Sequence, residues 1–171
     1  WYGEMLTGEE ELFASFETDE YQVTNAPFYT NHDMARGAGY YNRDDGSRTK
    51  FALGLHLLMP GRVFLYYGEE LGMKGSGKDE NKRAPMYWSS DPDAEGMCSG
   101  PPEMDEVKMK YEAADLQAED DQSILSYVRR AIRLRGKYPV IADGKTTLAD
   151  ESADFADEST GPVDGSTAPA K

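Results

Sequence analysis

The chain has 171 residues, enough for one domain of ordinary size, and its 18 basic and 32 acidic residues give a net charge of −14. Such a surface repels nucleic acid phosphates and anionic membranes, and no apolar stretch approaches the roughly 20 residues of a membrane span. The single cysteine, Cys98, allows no internal disulfide, and two histidines cannot form a zinc cluster.

The first predicted element is a short helix over residues 7–17. Thr7 and Glu10 have the spacing of a capping box, and Leu12, Phe13 and Phe16 form an apolar stripe. The chain begins without a signal peptide pattern, and its start resembles the interior of a longer chain.

Two short apolar runs are predicted to be β-strands. The first covers Ala26–Thr30, and the second, Val63–Tyr67, has the continuous apolar character of a strand buried on both faces. Between these runs, residues 37–48 are predicted to form a loop. A helix is predicted to follow over Thr49–Met59, with apolar positions that include Phe51, Leu55 and Leu58.

A long acidic loop is predicted over Ser89–Gln122, followed by a helix over Ser123–Arg135 with Ile124, Val128 and Ile132 on one face. From residue 145 the chain loses its apolar pattern, so residues 145–171 are predicted to be a disordered acidic tail or a linker, and residues 1–144 the folded part. Alternating helices and strands indicate an α/β fold, although two strands alone cannot close a sheet.

Polar residues follow both predicted strands. Asn31-His32-Asp33 comes directly after the first strand and either faces a ligand or forms an ordinary turn. A glycine-rich segment after the second strand carries Asp79 and, four residues later, Arg83, which either bind a ligand or form a surface ion pair. In a βα barrel the active site lies at the carboxyl ends of the strands, where both motifs are expected.

These motifs resemble the α-amylase family, glycoside hydrolase family 13. FYTNHD resembles that family's fourth signature region, PGRVFLYYGEELGM followed by KRAPMYW resembles its eighth strand and the next loop, and SILSYVRRAIRLRGKYPVI resembles its eighth helix. The resemblance covers residues 25 to about 144. It implies the seventh and eighth strands of a (β/α)8 TIM barrel, with flanking helices.

The resemblance also implies a function. Family members hydrolyse α-glucosidic bonds with retention, using a nucleophile and an acid/base. Asp33 matches the carboxylate that stabilises the transition state, His32 matches its sugar-binding neighbour, and Asp79 and Arg83 resemble a pair that binds a sugar toward the non-reducing end. The implied ligand is an α-1,4-glucan such as starch or a maltooligosaccharide, and neither nucleic acid nor a membrane is an expected partner.

The family's nucleophile lies in an Arg-x-Asp pattern that does not occur before His32, and its acid/base Glu should also precede that residue. The chain is therefore expected to be inactive alone, as a segment of a retaining α-amylase. The alternative is an inactive barrel relative that serves as a carbohydrate-binding or partner subunit. No metal ligand or cofactor is expected within this segment, although the family allows calcium in the parent enzyme, and family habit implies an extracellular location.

Overall fold

A computed structural model describes residues 2–40 and 45–148. Helix α1 spans Tyr2–Ala14, α2 Ser47–Leu57, α3 Asp79–Lys82, α4 Ala114–Glu119, α5 Ile124–Lys137 and α6 Val140–Asp143. Two short 3-10 helices cover Gly37–Tyr40 and Glu69–Leu71. None of the helices in these ranges is long and apolar enough to cross a membrane.

The two predicted strands lie side by side and run parallel, but they do not form a regular sheet. Within the described ranges their pairing amounts to one isolated bridge between Phe28 and Phe64. Backbone bonds from the N–H of Arg62 to the Asn25 carbonyl (2.7 Å) and from the N–H of Phe64 to the Pro27 carbonyl (2.8 Å) continue it. The prediction of two full strands is therefore wrong here, because a lone pair of segments has few ladder bonds to keep it regular.

One face of this parallel pair is covered by helices and the other is open. Tyr29, Val63 and Leu65 pack against the core of α2 and α5. The bridged residues Phe28 and Phe64 remain 54% and 63% exposed. The prediction that the second run is buried on both faces is wrong for that reason.

Helices α2 and α5 form the main core, built around Leu53, Leu57, Ile124 and Val128. Gly54 allows their close approach, because a Cβ there would overlap the Tyr127 hydroxyl. The predicted helix at this position is confirmed, but its predicted apolar face is wrong: Phe51, Leu55 and Leu58 are exposed. The sequence offered apolar residues on both sides of α2, and packing against α5 selected the side that carries glycine.

His56 lies on the buried face of α2 and links it to the second strand segment. Its Nε2 lies 3.0 Å from the Phe64 carbonyl oxygen, which can only accept, so this nitrogen carries the hydrogen. Burial lowers the pKa of His56. A neutral imidazole therefore ties helix to strand segment.

The predicted helix over Ser123–Arg135 is confirmed as α5, and Ser123 is its N-cap, whose hydroxyl accepts from the N–H of Ser126. Ile132, expected on its buried face, is 48% exposed. Arg135 donates to the carbonyls of Leu57, Met59 and Gly61 at 2.5–2.9 Å. It thereby satisfies the carbonyls at the end of α2.

Two predicted boundaries also need correction. Helix α1 begins at Tyr2, so Thr7 lies inside it and donates to the Glu4 carbonyl instead of capping. The predicted loop over residues 89–122 contains α4, where the buried Gln117 side chain donates to the Leu71 carbonyl (2.9 Å). Both results depend on tertiary contacts that local patterns do not encode.

The predicted tail lies mostly outside the described residues, which end at 148. Just before that point the N–H of Thr146 donates to the Glu10 carboxylate of α1, 3.0 Å from each oxygen. The boundary between residues 144 and 145 stays a prediction.

Candidate active site

The turn that carries His32 and Asp33 follows the first strand segment and is stabilised by the side chain of its first residue, Asn31. Asn31 Oδ1 accepts from the backbone N–H of Asp33 (2.9 Å) and of Met34 (3.1 Å). An asparagine that bonds the backbone two and three residues ahead stabilises such a turn locally. The imidazole and carboxylate that follow Asn31 are therefore presented at a fixed point of the chain, with side chains 59% and 66% exposed.

The second group of predicted site residues is presented by α3. Asp79 begins this helix and Arg83 is its C-cap, so the two side chains are four residues apart on one face. Arg83 Nη1 lies 3.6 Å from Asp79 Oδ2. The expected ion pair is present, and the Asp79 side chain is 62% exposed.

The structure brings all four predicted residues into one line of contacts. His32 Nε2 lies 3.4 Å from Asp33 Oδ2, and Arg83 Nη2 lies 3.3 Å from Asp33 Oδ1. Arg83 thus lies between the Asp33 carboxylate, which comes from the turn, and the Asp79 carboxylate, which comes from α3. Whether these residues bind a ligand stays a prediction, but they are neighbours in space, as a shared site requires.

Lys82 also belongs to this group, although it was not among the residues predicted from the sequence. Its ammonium donates to Asp79 Oδ1 (2.9 Å) and to the backbone carbonyl of Asp33 (3.0 Å). The bond to Lys82 and its positive charge lower the pKa of Asp79. The Lys-Arg dipeptide at the end of α3 was the only sequence signal, and it is too common to identify a role.

We call His32, Asp33, Asp79, Lys82 and Arg83 the polar cluster. Two carboxylates are balanced by one ammonium and one guanidinium, so with a neutral imidazole the formal charge is zero. Such a surface offers donors and acceptors without favouring an anion or a cation. This arrangement suits a neutral, hydroxyl-rich ligand.

A buried ion pair lies behind the polar cluster. Arg36 and Glu69 are both 0% exposed, and Arg36 Nη1 lies 3.9 Å from Glu69 Oε1. The guanidinium also donates to the Tyr67 carbonyl (2.5 Å) and lies 4.7 Å from the ring centres of Tyr66 and Tyr67. Arg36 thus fixes the loop after the first strand segment against the end of the second.

Glu69 accepts from the N–H of Gly37 at 3.3–3.4 Å, and burial raises its pKa to about 7. Gly68 makes room for this arrangement with a φ of 84°, because a Cβ there would approach Arg36 Nη1 to 2.9 Å. The complete burial of Glu69 and its contact with Arg36 indicate a structural role for this carboxyl group.

The described parts of the chain contain no group of three or more His, Cys, Asp or Glu side chains that could hold a metal ion. Calcium in the parent enzyme, which the family resemblance allows, stays a prediction.

The chain matches a family model described as the alpha amylase catalytic domain over residues 7–144. Among solved structures it is similar to Eubacterium rectale Amy13B, with 48% identity and a TM-score of 0.79, covering 85% of this chain and 28% of that one. It is 32% identical to alpha-amylase 3 of Dictyoglomus thermophilum over 83% of this chain and 28% of the relative. It is 29% identical to trehalose synthase/amylase TreS of Mycobacterium tuberculosis over 84% of this chain and 27% of the relative.

The chain spans less than a third of the length of these relatives. The parallel pair of segments with helices α2 and α5 on one face is consistent with part of their TIM-barrel fold. The match over residues 7–144 includes the whole polar cluster and the buried pair behind it. The chain belongs to the α-amylase family of glycoside hydrolases, of whose catalytic barrel it forms a part.

Proposed function

We propose that this chain supplies the seventh- and eighth-strand portion of the active site of a retaining α-glucan hydrolase. The observation that carries the proposal is the contact of Asp33 with both His32 and Arg83, and of Arg83 with Asp79. This arrangement places an exposed carboxylate next to side chains that can bind sugar hydroxyls. The substrate is an α-1,4-glucan such as starch or a maltooligosaccharide.

The role of Asp33 follows from its charge. The transition state of glycoside hydrolysis resembles an oxocarbenium ion, in which positive charge develops on the sugar ring. A fixed carboxylate stabilises that charge more strongly than it stabilises the neutral ground state. His32 binds hydroxyls of the same sugar, while Asp79 and Arg83 bind a sugar toward the non-reducing end.

The two carboxyl groups that break the bond come from outside this chain in our proposal. The Arg-x-Asp pattern of the family's nucleophile is missing before His32, and Glu69 is completely buried against Arg36. Retaining chemistry has no covalent step without a nucleophile. The isolated chain therefore contributes binding and electrostatic stabilisation, but not bond cleavage.

The names of the relatives favour α-glucosidic substrates without fixing one. They include an α-amylase and a trehalose synthase/amylase. The uncharged balance of the polar cluster suits any neutral glucoside. Preference among starch, maltodextrins and short oligosaccharides is set by side chains beyond this segment, and an extracellular location is proposed on family habit alone.

The test compares the chain with a complete barrel. In a chimera, residues 7–144 replace the matched segment of Amy13B, after the host's own release of reducing sugar from soluble starch has been measured. We expect the 171-residue chain alone to stay at the blank and the chimera to retain activity. Starch hydrolysis by the chain alone, abolished by Asp33→Ala, would contradict the proposed division of the site; a folded chimera that binds starch without cleaving it would favour an inactive carbohydrate-binding relative.

A further inference from the structure

Lys82 is the least exposed side chain of the polar cluster. It is 13% exposed, whereas Asp33 and Asp79 are 66% and 62% exposed. Its backbone carbonyl accepts from the Tyr66 hydroxyl (3.2 Å), which anchors the end of α3 to the second strand segment. A largely covered ammonium is costly unless it is well paired. One of its bonds goes to Asp79 at the start of α3, and the other crosses to the Asp33 carbonyl in the turn after the first strand segment.

We propose that Lys82 is a positioning residue that ties the Asn31–Met34 turn to α3 and thereby aims the Asp33 carboxylate at the sugar. The inference rests on the proposed function for its ligand, but the tie itself is a feature of the free protein. Lys82 acts through Asp33 and Asp79 and does not contact the substrate.

The backbone of Asp33 shows why the tie matters. Its N–H donates to Asn31 Oδ1 (2.9 Å) and its carbonyl accepts from Lys82 Nζ (3.0 Å). Because the backbone N–H and the carbonyl of Asp33 are both hydrogen-bonded, the direction of its Cα–Cβ bond is fixed. The carboxylate is then presented in one orientation before any ligand arrives, which reduces the ordering cost of binding.

Arg83 cannot serve the same purpose. It contacts the carboxylates of Asp33 and Asp79, which are the groups that a sugar would engage. A ligand that bonds to these oxygens competes with Arg83. The bond of Lys82 to the Asp33 carbonyl uses a backbone atom, so it persists when the carboxylates turn to a ligand.

Lysine also suits the geometry on the α3 side. Its ammonium has three donors and can serve a carboxylate and a carbonyl together. The bond to Asp79 is the largest cause of that carboxylate's lowered pKa, which agrees with a persistent contact. Lys82 therefore holds the Asp79 carboxylate in place while it holds the opposite loop.

The experiment uses the full 171-residue chain in four forms: wild type, Lys82→Met, Lys82→Arg and the control Lys78→Met. Lys78 also lies near α3, but its ammonium bonds to Asp105 (2.6 Å), outside the polar cluster. Amide hydrogen exchange at Asp33 and Met34 is measured without ligand, and maltotetraose affinity is measured by titration calorimetry. If Lys82→Met does not fold, Lys82→Gln replaces it, because the glutamine amide removes the charge and keeps a hydrogen-bond donor group.

We expect Lys82→Met to speed exchange at Asp33 and Met34 and to weaken maltotetraose binding, each by about three- to tenfold, the net worth of a typical intramolecular hydrogen bond. Lys82→Arg should recover part of both effects, and Lys78→Met should change neither. Unchanged exchange in Lys82→Met would overturn the inference. Weaker binding with unchanged exchange would also overturn it, because Lys82 would then contact the sugar itself.

The two proposals fail separately. If wild type does not bind maltotetraose, the proposed function of this chain fails, while the exchange rates still decide whether Lys82 holds the turn. If wild type binds and Asp33→Asn weakens binding but Lys82→Met alters neither measurement, the proposed function stands and the role of Lys82 is wrong.

Discussion

The polar cluster and the Arg36–Glu69 pair join the same two loops with the same kinds of charge, but in opposite surroundings. Arg83 and Asp33 are 36% and 66% exposed, while Arg36 and Glu69 are 0% exposed. Water screens the charges of Arg83 and Asp33, so their contact is weak and a ligand can replace it. In the buried pair neither partner can be hydrated alone, so the pair holds the loops and cannot exchange. The polar cluster is therefore suited to ligand binding, and the Arg36–Glu69 pair to structural support.

Removing one partner of the buried pair should give the largest change. Arg36→Met leaves the Glu69 carboxyl buried without its cation, and we expect the free energy of unfolding to fall by about 3–5 kcal/mol. Urea unfolding followed by circular dichroism measures it. Arg129→Met, on the exposed face of α5, is the matched control and should stay within about 0.5 kcal/mol of wild type. Equal effects of the two changes would remove the distinction between the regions.

Removing the charge of Asp33 should affect rate and leave stability unchanged. In the Amy13B chimera, Asp33→Asn should lower kcat by about 10²–10³, roughly 3–4 kcal/mol, with a smaller change in KM, because the lost charge matters most in the transition state. His32→Ala should be milder, since it deletes hydrogen bonds to hydroxyls and no charge. Steady-state kinetics on a soluble maltooligosaccharide measures both. A kcat of Asp33→Asn within about threefold of wild type would leave His32-Asp33 as an ordinary turn.

The buried carboxyl group should make stability depend on pH in an unusual direction. Burial raises the pKa of Glu69 from an ordinary 4.5 to about 7. Because the folded state then binds the proton more tightly, this contribution is complete below about pH 4.5 and is lost as the pH rises through 7. At about 1.4 kcal/mol per pH unit the loss approaches about 3 kcal/mol.

Glu69→Gln should remove this dependence. The unfolding free energies of wild type and Glu69→Gln are measured at pH 5 and at pH 8. Between these two pH values, wild type should lose up to about 3 kcal/mol more of its unfolding free energy than Glu69→Gln does. Other carboxylates are common to both proteins and cancel in this difference. A difference that is the same at both pH values would show that Glu69 is ionised throughout, with Arg36 outweighing burial.

An exposed ion pair far from both regions should give the smallest effect. Arg62 Nη1 lies 2.7 Å from Asp143 Oδ1, and the two side chains are 61% and 59% exposed. We expect Arg62→Ala to lower the unfolding free energy by no more than about 1 kcal/mol, and by less in high salt. Thermal unfolding at low and high ionic strength measures it. A loss as large as that of Arg36→Met would show that exposure does not separate these pairs.

Local sequence signals determined helices α2 and α5 and the candidate site residues. The Ser123 cap and the periodicity after it set α5, the apolar run before Pro60-Gly61 set α2, and the NHD and Asp79–Arg83 motifs singled out four residues that lie together. Each of these signals lies within a few neighbouring residues.

Only the tertiary structure decided which faces pack and which charges meet. Phe51 and Leu53 are equally apolar, and Leu53 is buried because Gly54 beside it lets α5 approach. Arg36 and Glu69 are 33 positions apart, and Lys82 lies 49 positions from the carbonyl it holds, so no local pattern could pair them. Burial and long-range pairing depend on what the folded chain places opposite each side chain, whereas a cap or a helical period is complete within its own turn.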